Sequence, residues 1–136
     1  MKIALTIVIF SIISLCLLFC GCSEILGSSV YIDGYWEIQN EYQNLVTVEI
    51  YSEAINAGDT RVKNVEAIIT LSYGDSILTK ERVFYGSVPV NGKVSKNTIS
   101  NFRLTESQMS DILNNGVGNI KMEVSDIFID GIRATT

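Results

Sequence analysis

Paired carboxylates are the residues whose types and spacing first suggest chemistry in this chain: Asp33 with Glu37, Glu49 with Glu53, and Asp126 with Asp130. Glycoside cleavage needs two carboxyl groups about 5 to 10 Å apart. Residues four apart in a strand share a face but lie about 13 Å apart along it. Within one strand that is too wide for an acid–base pair, so these carboxylates read as a solvated strand face. Asp59, Asp75 and Asp130 each stand beside a glycine, where oxygen ligands for calcium can gather at one end of a fold. No segment carries the spaced ligand ladder of an EF-hand loop, and Asp beside Gly is ordinary turn chemistry. The chain has no histidine, which removes the commonest general base and metal ligand. Nothing resembles a nucleophile elbow, a phosphate-cradling glycine loop or a zinc motif. The sequence therefore predicts a non-catalytic protein without a metal or other cofactor.

The cysteines carry a different chemistry. All three, Cys16, Cys20 and Cys22, fall within the stretch LCLLFCGCSE. Before it come Lys2 and an apolar run with no charge until Glu24. A positive start, an apolar body and small residues at the far end describe an export signal. The run also approaches the roughly 20 apolar residues that span a bilayer. Either way, the positive-inside bias puts everything after Glu24 outside the cytoplasm. Phe19-Cys20-Gly21-Cys22 resembles the lipobox of prokaryotic lipoproteins, in which the last cysteine is lipidated and becomes the new amino terminus. That resemblance implies a signal peptide over residues 1–21, lipidation at Cys22, and a domain held on the cell membrane or envelope. Two readings stand beside it: a retained transmembrane helix with buried apolar cysteines, and cleavage without lipid.

The remainder of the chain has the size of one domain. Residues 22–29 form a short polar tether and residues 30–136 the domain. The domain has no cysteine for a disulfide and must rely on its core. The formal net charge of −5 gives no electrostatic footprint for nucleic acid and no attraction to anionic lipid headgroups. Membrane contact is predicted to come from the anchor alone.

The elements are mostly strands. VYIDGYWEI is rich in β-branched and aromatic residues. In LVTVEIYSEAIN, Val46, Val48 and Ile50 alternate with Thr47, Glu49 and Tyr51. VEAIITLSY places Val65, Ala67, Ile69, Leu71 and Tyr73 on one face. Gly74-Asp75 marks a hairpin, after which Ile77, Thr79, Val83 and Tyr85 are predicted to share a side. Pro89 takes the chain out of the sheet or along an edge, and Asn91-Gly92 is a turn leading to another strand. Thr105 to Gln108 forms a capping box. The helix it opens is predicted to turn Met109, Ile112 and Leu113 inward and to stop at Gly116. In the last long strand Ile120, Met122 and Val124 alternate with Lys121, Glu123 and Ser125. The pattern predicts an all-β, immunoglobulin-like β-sandwich of six to seven strands with one short helix near the C-terminus, preceded by the N-terminal signal or anchor helix.

Within Val46–Leu104, the run NAGDTRVKNVEAIITLSYGDSILTKERVFYGSVPVNGK resembles the small extracytoplasmic sandwich modules of bacterial and archaeal lipoproteins, the FxLYD and CARDB-like groups. The resemblance implies a binding or spacing unit with no chemistry of its own. Tyr31, Tyr35, Trp36 and Tyr42 cluster near the domain's start. Alternation sends Trp36 inward with Ile32 and Ile38, and leaves Tyr31 and Tyr35 outside with Asp33. Flat rings with polar edges stack on sugars or on partner proteins, so Tyr31 and Tyr35 are the candidate binding surface. The expected function is an anchored interaction or structural module with a protein or saccharide partner. The alternative is a ligand- or saccharide-binding accessory lipoprotein of a transporter or hydrolase system.

Overall fold

The computed structural model describes residues 30–134. The predicted signal peptide, its N-terminal helix and the tether with Cys22 lie outside the described residues. The elements run β1 (Val30–Tyr42), β2 (Leu45–Asn56), β3 (Val62–Tyr73), β4 (Ser76–Val88), β5 (Lys93–Arg103), α1 (Glu106–Asn115), β6 (Ile120–Ile129) and β7 (Ile132–Arg133). Among the described residues no helix is long and apolar enough to cross a membrane.

The strands form two antiparallel sheets, ordered β1-β2-β5 and β4-β3-β6-β7. The chain passes between sheets at β2–β3, β4–β5 and β5–β6, the Greek-key wiring of an immunoglobulin-like sandwich. The fourth strand pairs with β3, leaving three strands in the first sheet.

Period-two patterning makes the core. Val46, Val48 and Ile50 of β2 face Val65, Ala67, Ile69 and Leu71 of β3, and all are buried. Ile32 and Trp36 close the core from β1, and Val83, Tyr85 and Val88 from β4. Each fully buried Val, Leu or Ile contributes about 1.5–3 kcal/mol. The few inward polar groups are satisfied. The Tyr85 hydroxyl donates across the core to Ser52 Oγ (2.7 Å). Burial raises the Tyr85 pKa to about 12. Asn56 donates to the carbonyls of Thr60 (2.7 Å) and Val88 (3.3 Å) and accepts the Gly58 N–H (3.0 Å), tying both sheet-to-sheet connections at that end.

The predicted turns and helix cap form. Gly74-Asp75 joins Tyr73 to Ser76, and the chain leaves the second sheet at Pro89, where the Gly92 N–H donates to the Pro89 carbonyl (3.1 Å). Thr105 and Gln108 make the reciprocal capping box, and Gly116 ends α1 at φ 82°.

Two side chains depart from the sequence reading. Ile77 is 59% exposed, because the β3–β4 register slips where Leu71 faces Thr79 and Ser72 faces Ile77. The extra residue, Leu78, takes the inward place. Leu113 is 57% exposed, since Met109 and Ile112 alone of α1 are buried while Leu104 and Val117 fill the core on either side of the helix. A further hairpin closes the chain at Asp130-Gly131, both at positive φ.

Candidate recognition face

The outer face of the β1-β2-β5 sheet gathers most of the candidate residues. Its position follows from a two-residue turn, Gln43-Asn44, that aligns β1 against β2. The register places Tyr35 opposite Tyr51, Glu37 opposite Glu49 and Asp33 opposite Glu53. On the other side of β2, Ile99 lies opposite Glu49, Asn97 opposite Tyr51 and Ser95 opposite Glu53. Three rows of side chains therefore cross the sheet, with a tyrosine row between two acidic ones. Rows two residues apart along a strand are separated by about 7 Å.

The tyrosine row is stacked. The Tyr35 and Tyr51 rings lie 4.7 Å apart between centroids with planes 20° from parallel, an arrangement favoured for aromatic pairs. Tyr35 remains 42% exposed. Tyr31 is half-buried at the next row, opposite Ile55. Gly34 brings the strands close beneath the stack: a Cβ there would collide with the Tyr51 carbonyl oxygen and press on Met122 Cε at 3.3 Å.

A hydrogen-bond network fixes the carboxylates. Glu49 accepts from the Tyr51 hydroxyl (2.6 Å), Gln39 Nε2 (2.9 Å) and Asn97 Nδ2 (3.1 Å). The bond to Glu49 favours the neutral phenol, and with desolvation and the charges of Glu49, Glu37 and Tyr35 raises the Tyr51 pKa to about 12. Glu53 pairs with Lys93 (3.1 Å) and accepts from Ser95 Oγ (2.9 Å). Asp33 Oδ1 accepts the Gly34 N–H (2.7 Å). Among the described residues, no hydrogen bond or ion pair reaches Glu37.

The carboxylates therefore approach one another across strands and not along them. Antiparallel pairing opposes Asp33 to Glu53 and Glu37 to Glu49, and directly opposite Cβ atoms in such pairs stand about 4.5–5.5 Å apart. Asp126 instead binds Arg133, and Asp130 accepts from Asn64 Nδ2 (2.7 Å). The three turn aspartates do not meet. Asp59 and Asp130 lie at the Val62 end of β3 and Asp75 at the Tyr73 end. No group of three or more acidic side chains holds metal-ligand spacing among the described residues. Sequence reasoning also missed Tyr51; its place in the outward column of β2 was visible, but not its partner across the turn.

A second polar cluster joins α1 to β3. Asp111 accepts from the Tyr73 hydroxyl, from Asn115 Nδ2 (2.7 Å) and from Asn119 Nδ2 (2.9 Å). The Tyr73 bond lowers the Asp111 pKa and raises that of the phenol. A third sits at the seam between β4 and β5, where Ser100 Oγ donates to Glu81 (2.5 Å). Both clusters hold elements together.

No protein-family model and no curated protein matches the chain. Fold and face together define an immunoglobulin-like β-sandwich that presents an acidic, aromatic sheet surface.

Proposed function

We propose that the chain is an extracytoplasmic lipoprotein, attached to the membrane through Cys22, whose β-sandwich works as a non-catalytic interaction module. The anchor rests on the sequence from Phe19 to Cys22 and its resemblance to a lipobox. The module reading rests on one observation above all. The Tyr35–Tyr51 stack stands open on a sheet face, where rigid rings with hydroxyl edges offer contact area at low entropic cost. The FxLYD and CARDB-like resemblance supports the same class of function.

The ligand-binding alternative has its own support: the stack is flanked by hydrogen-bonding groups of Glu49 and Asn97, as stacking recognition of a saccharide requires.

The test uses the tagged, full-length protein captured from solubilised membranes. Tyr31→Ala with Tyr35→Ala is expected to lose the captured partner while the domain still unfolds cooperatively, its melting temperature lowered by roughly 4–8 °C for each kcal/mol of ring packing removed. Unchanged capture by a folded double variant would remove these rings from the interface. Cys22→Ser is expected to abolish labelling by a fatty-acid probe; continued labelling would refute the anchor.

A further inference from the structure

We infer that Asn91 is a site of spontaneous deamidation, converting through a succinimide to aspartate and isoaspartate, and that the isoaspartyl product loosens the end of the sandwich held by Asn56. The inference stands apart from the anchor and from the tyrosine face.

The reaction needs an asparagine followed by a main-chain nitrogen open to attack, and glycine hinders that attack least because it has no Cβ. The Gly92 nitrogen attacks Asn91 Cγ. The N–Cγ bond forms, the Cγ–Nδ2 bond breaks, and the proton of the attacking nitrogen leaves with ammonia. Water then opens the cyclic imide. Cleavage at the side-chain carbonyl leaves aspartate. Cleavage at the main-chain carbonyl leaves isoaspartate, in which the chain runs on through Cγ and is one methylene longer. Water is the only co-reactant.

Among the described residues, Asp33, Asn91, Asn115 and Asp130 precede a glycine, and the structure separates them. Both aspartates are engaged: Asp33 Oδ1 accepts the Gly34 N–H within β1, and Asp130 accepts from Asn64 Nδ2. An ionised carboxylate is also a far poorer electrophile than an amide. Asn115 Nδ2 donates to Asp111 (2.7 Å), and the Gly116 N–H closes α1 on the Ile112 carbonyl (2.8 Å). Attack there must break a charge-assisted bond and unwind the helix end. Asn91 is exposed, and no hydrogen bond holds its side chain.

Asn91 stands third in the turn Pro89 to Gly92, at a φ of 51° that a type II turn asks of that place and that Asn and Gly take readily. The Gly92 N–H closes the turn on the Pro89 carbonyl (3.1 Å), so the attacking nitrogen is freed as the turn opens. Exposed turns open at a smaller free-energy cost than strands or capped helices. The turn slows the reaction and does not stop it.

Gly92 is also where the turn is fastened. Its carbonyl accepts the Asn56 N–H (3.0 Å), and the Asn56 side chain holds the Thr60 and Val88 carbonyls. There is little slack, since a Cβ on Gly92 would stand 2.5 Å from Pro89 Cγ. A chain lengthened between Val90 and Gly92 must either pull that carbonyl from Asn56 or shift the β5 register that begins at Lys93.

The experiment ages the full-length protein in non-ionic detergent at mildly alkaline pH and follows each site by mass spectrometry of its peptides. The free peptides Val-Pro-Val-Asn-Gly-Lys and Ile-Leu-Asn-Asn-Gly-Val give the unfolded rate for each site. Asn91 is expected to convert within about tenfold of its peptide, and Asn115 about a hundredfold or more behind its own. Conversion of Asn115 as fast as Asn91, or an unchanged Asn91 while its peptide converts, would overturn the site. The isoaspartyl fraction, separated by ion exchange, is expected to melt roughly 4–8 °C below the parent, the shift that loss of one hydrogen bond brings. Asn91→Asp carries the charge without the methylene and is expected to melt with the parent. Asn91→Gly suits the positive φ and is expected to hold its melting temperature on ageing. An isoaspartyl fraction that melts with the parent, or an Asn91→Asp variant that melts as low as that fraction, would overturn the link to Asn56.

Discussion

Tyr51 illustrates how one hydrogen bond sets the behaviour of a surface phenol. Its hydroxyl donates to Glu49, and a carboxylate acceptor stabilises the neutral phenol and opposes its ionisation. Folding thus raises its pKa from 10.0 to about 12, and burial does the same for Tyr85. A group whose pKa is raised by folding contributes stability that is complete below the unfolded value and is lost as pH rises through the folded one. The domain is therefore expected to lose stability between about pH 10 and pH 12. Tyr51→Phe is expected to flatten part of that loss, measured as melting temperature against pH. A variant with the same alkaline slope as the parent would show that the Glu49 bond does not persist in solution. At the acid end the sign reverses: Asp111, whose pKa folding lowers through Tyr73, supports the fold above the ordinary carboxylate range and loses that contribution as pH falls through its depressed value.

Among the elements, the β1–β2 hairpin is the one whose sequence fits its shape least. Gln43 and Asn44 both take positive φ, 47° and 66°, as a two-residue hairpin turn requires. Asn tolerates that region; Gln does not, at a cost of about 1–2 kcal/mol. The main-chain carbonyl of Asn44 accepts the Leu104 N–H (2.9 Å), which ties the turn to the end of β5. Gln43→Asn is expected to stabilise the domain by about 1 kcal/mol, raising its melting temperature by roughly 4–8 °C. No rise would mean that the turn relaxes without penalty. The same mismatch explains what was hard to read. Gly74-Asp75 and Thr105 with Gln108 announce their turn and cap by residue type, and the inward columns of β2 and β3 announce their strands by alternation. Gln43-Asn44 carries no glycine, so residue type does not reveal that β1 continues to Tyr42. Hidden with it is the register that opposes Tyr35 to Tyr51. The slip at Leu78 and the outward turn of Leu113 were hidden for a related reason: pattern gives a period, while tertiary packing decides which residue breaks it.

At the scale of the whole molecule, strand number, class and core composition were legible because two buried sheet faces impose alternation along every long strand. The candidate face was legible only as Tyr31 and Tyr35, since its acidic rows exist through pairing between strands and not through spacing within one. That same pairing sets a timescale. Each hairpin closes locally and can form in about 1–10 μs. The joins of β2 to β5 and β3 to β6 instead bring together Thr47 with Asn101 and Ala67 with Ile127. Folds dominated by such distant pairings assemble in milliseconds to seconds. Trp36, the only tryptophan, lies in the core that these joins complete, so its fluorescence after dilution from denaturant is expected to change as a single slow phase. A microsecond change carrying most of the amplitude would place Trp36 in a local hairpin cluster instead. On the slow course, a newly made chain spends its first moments with all its strand edges open, and its survival then depends on how fast β5 and β6 arrive.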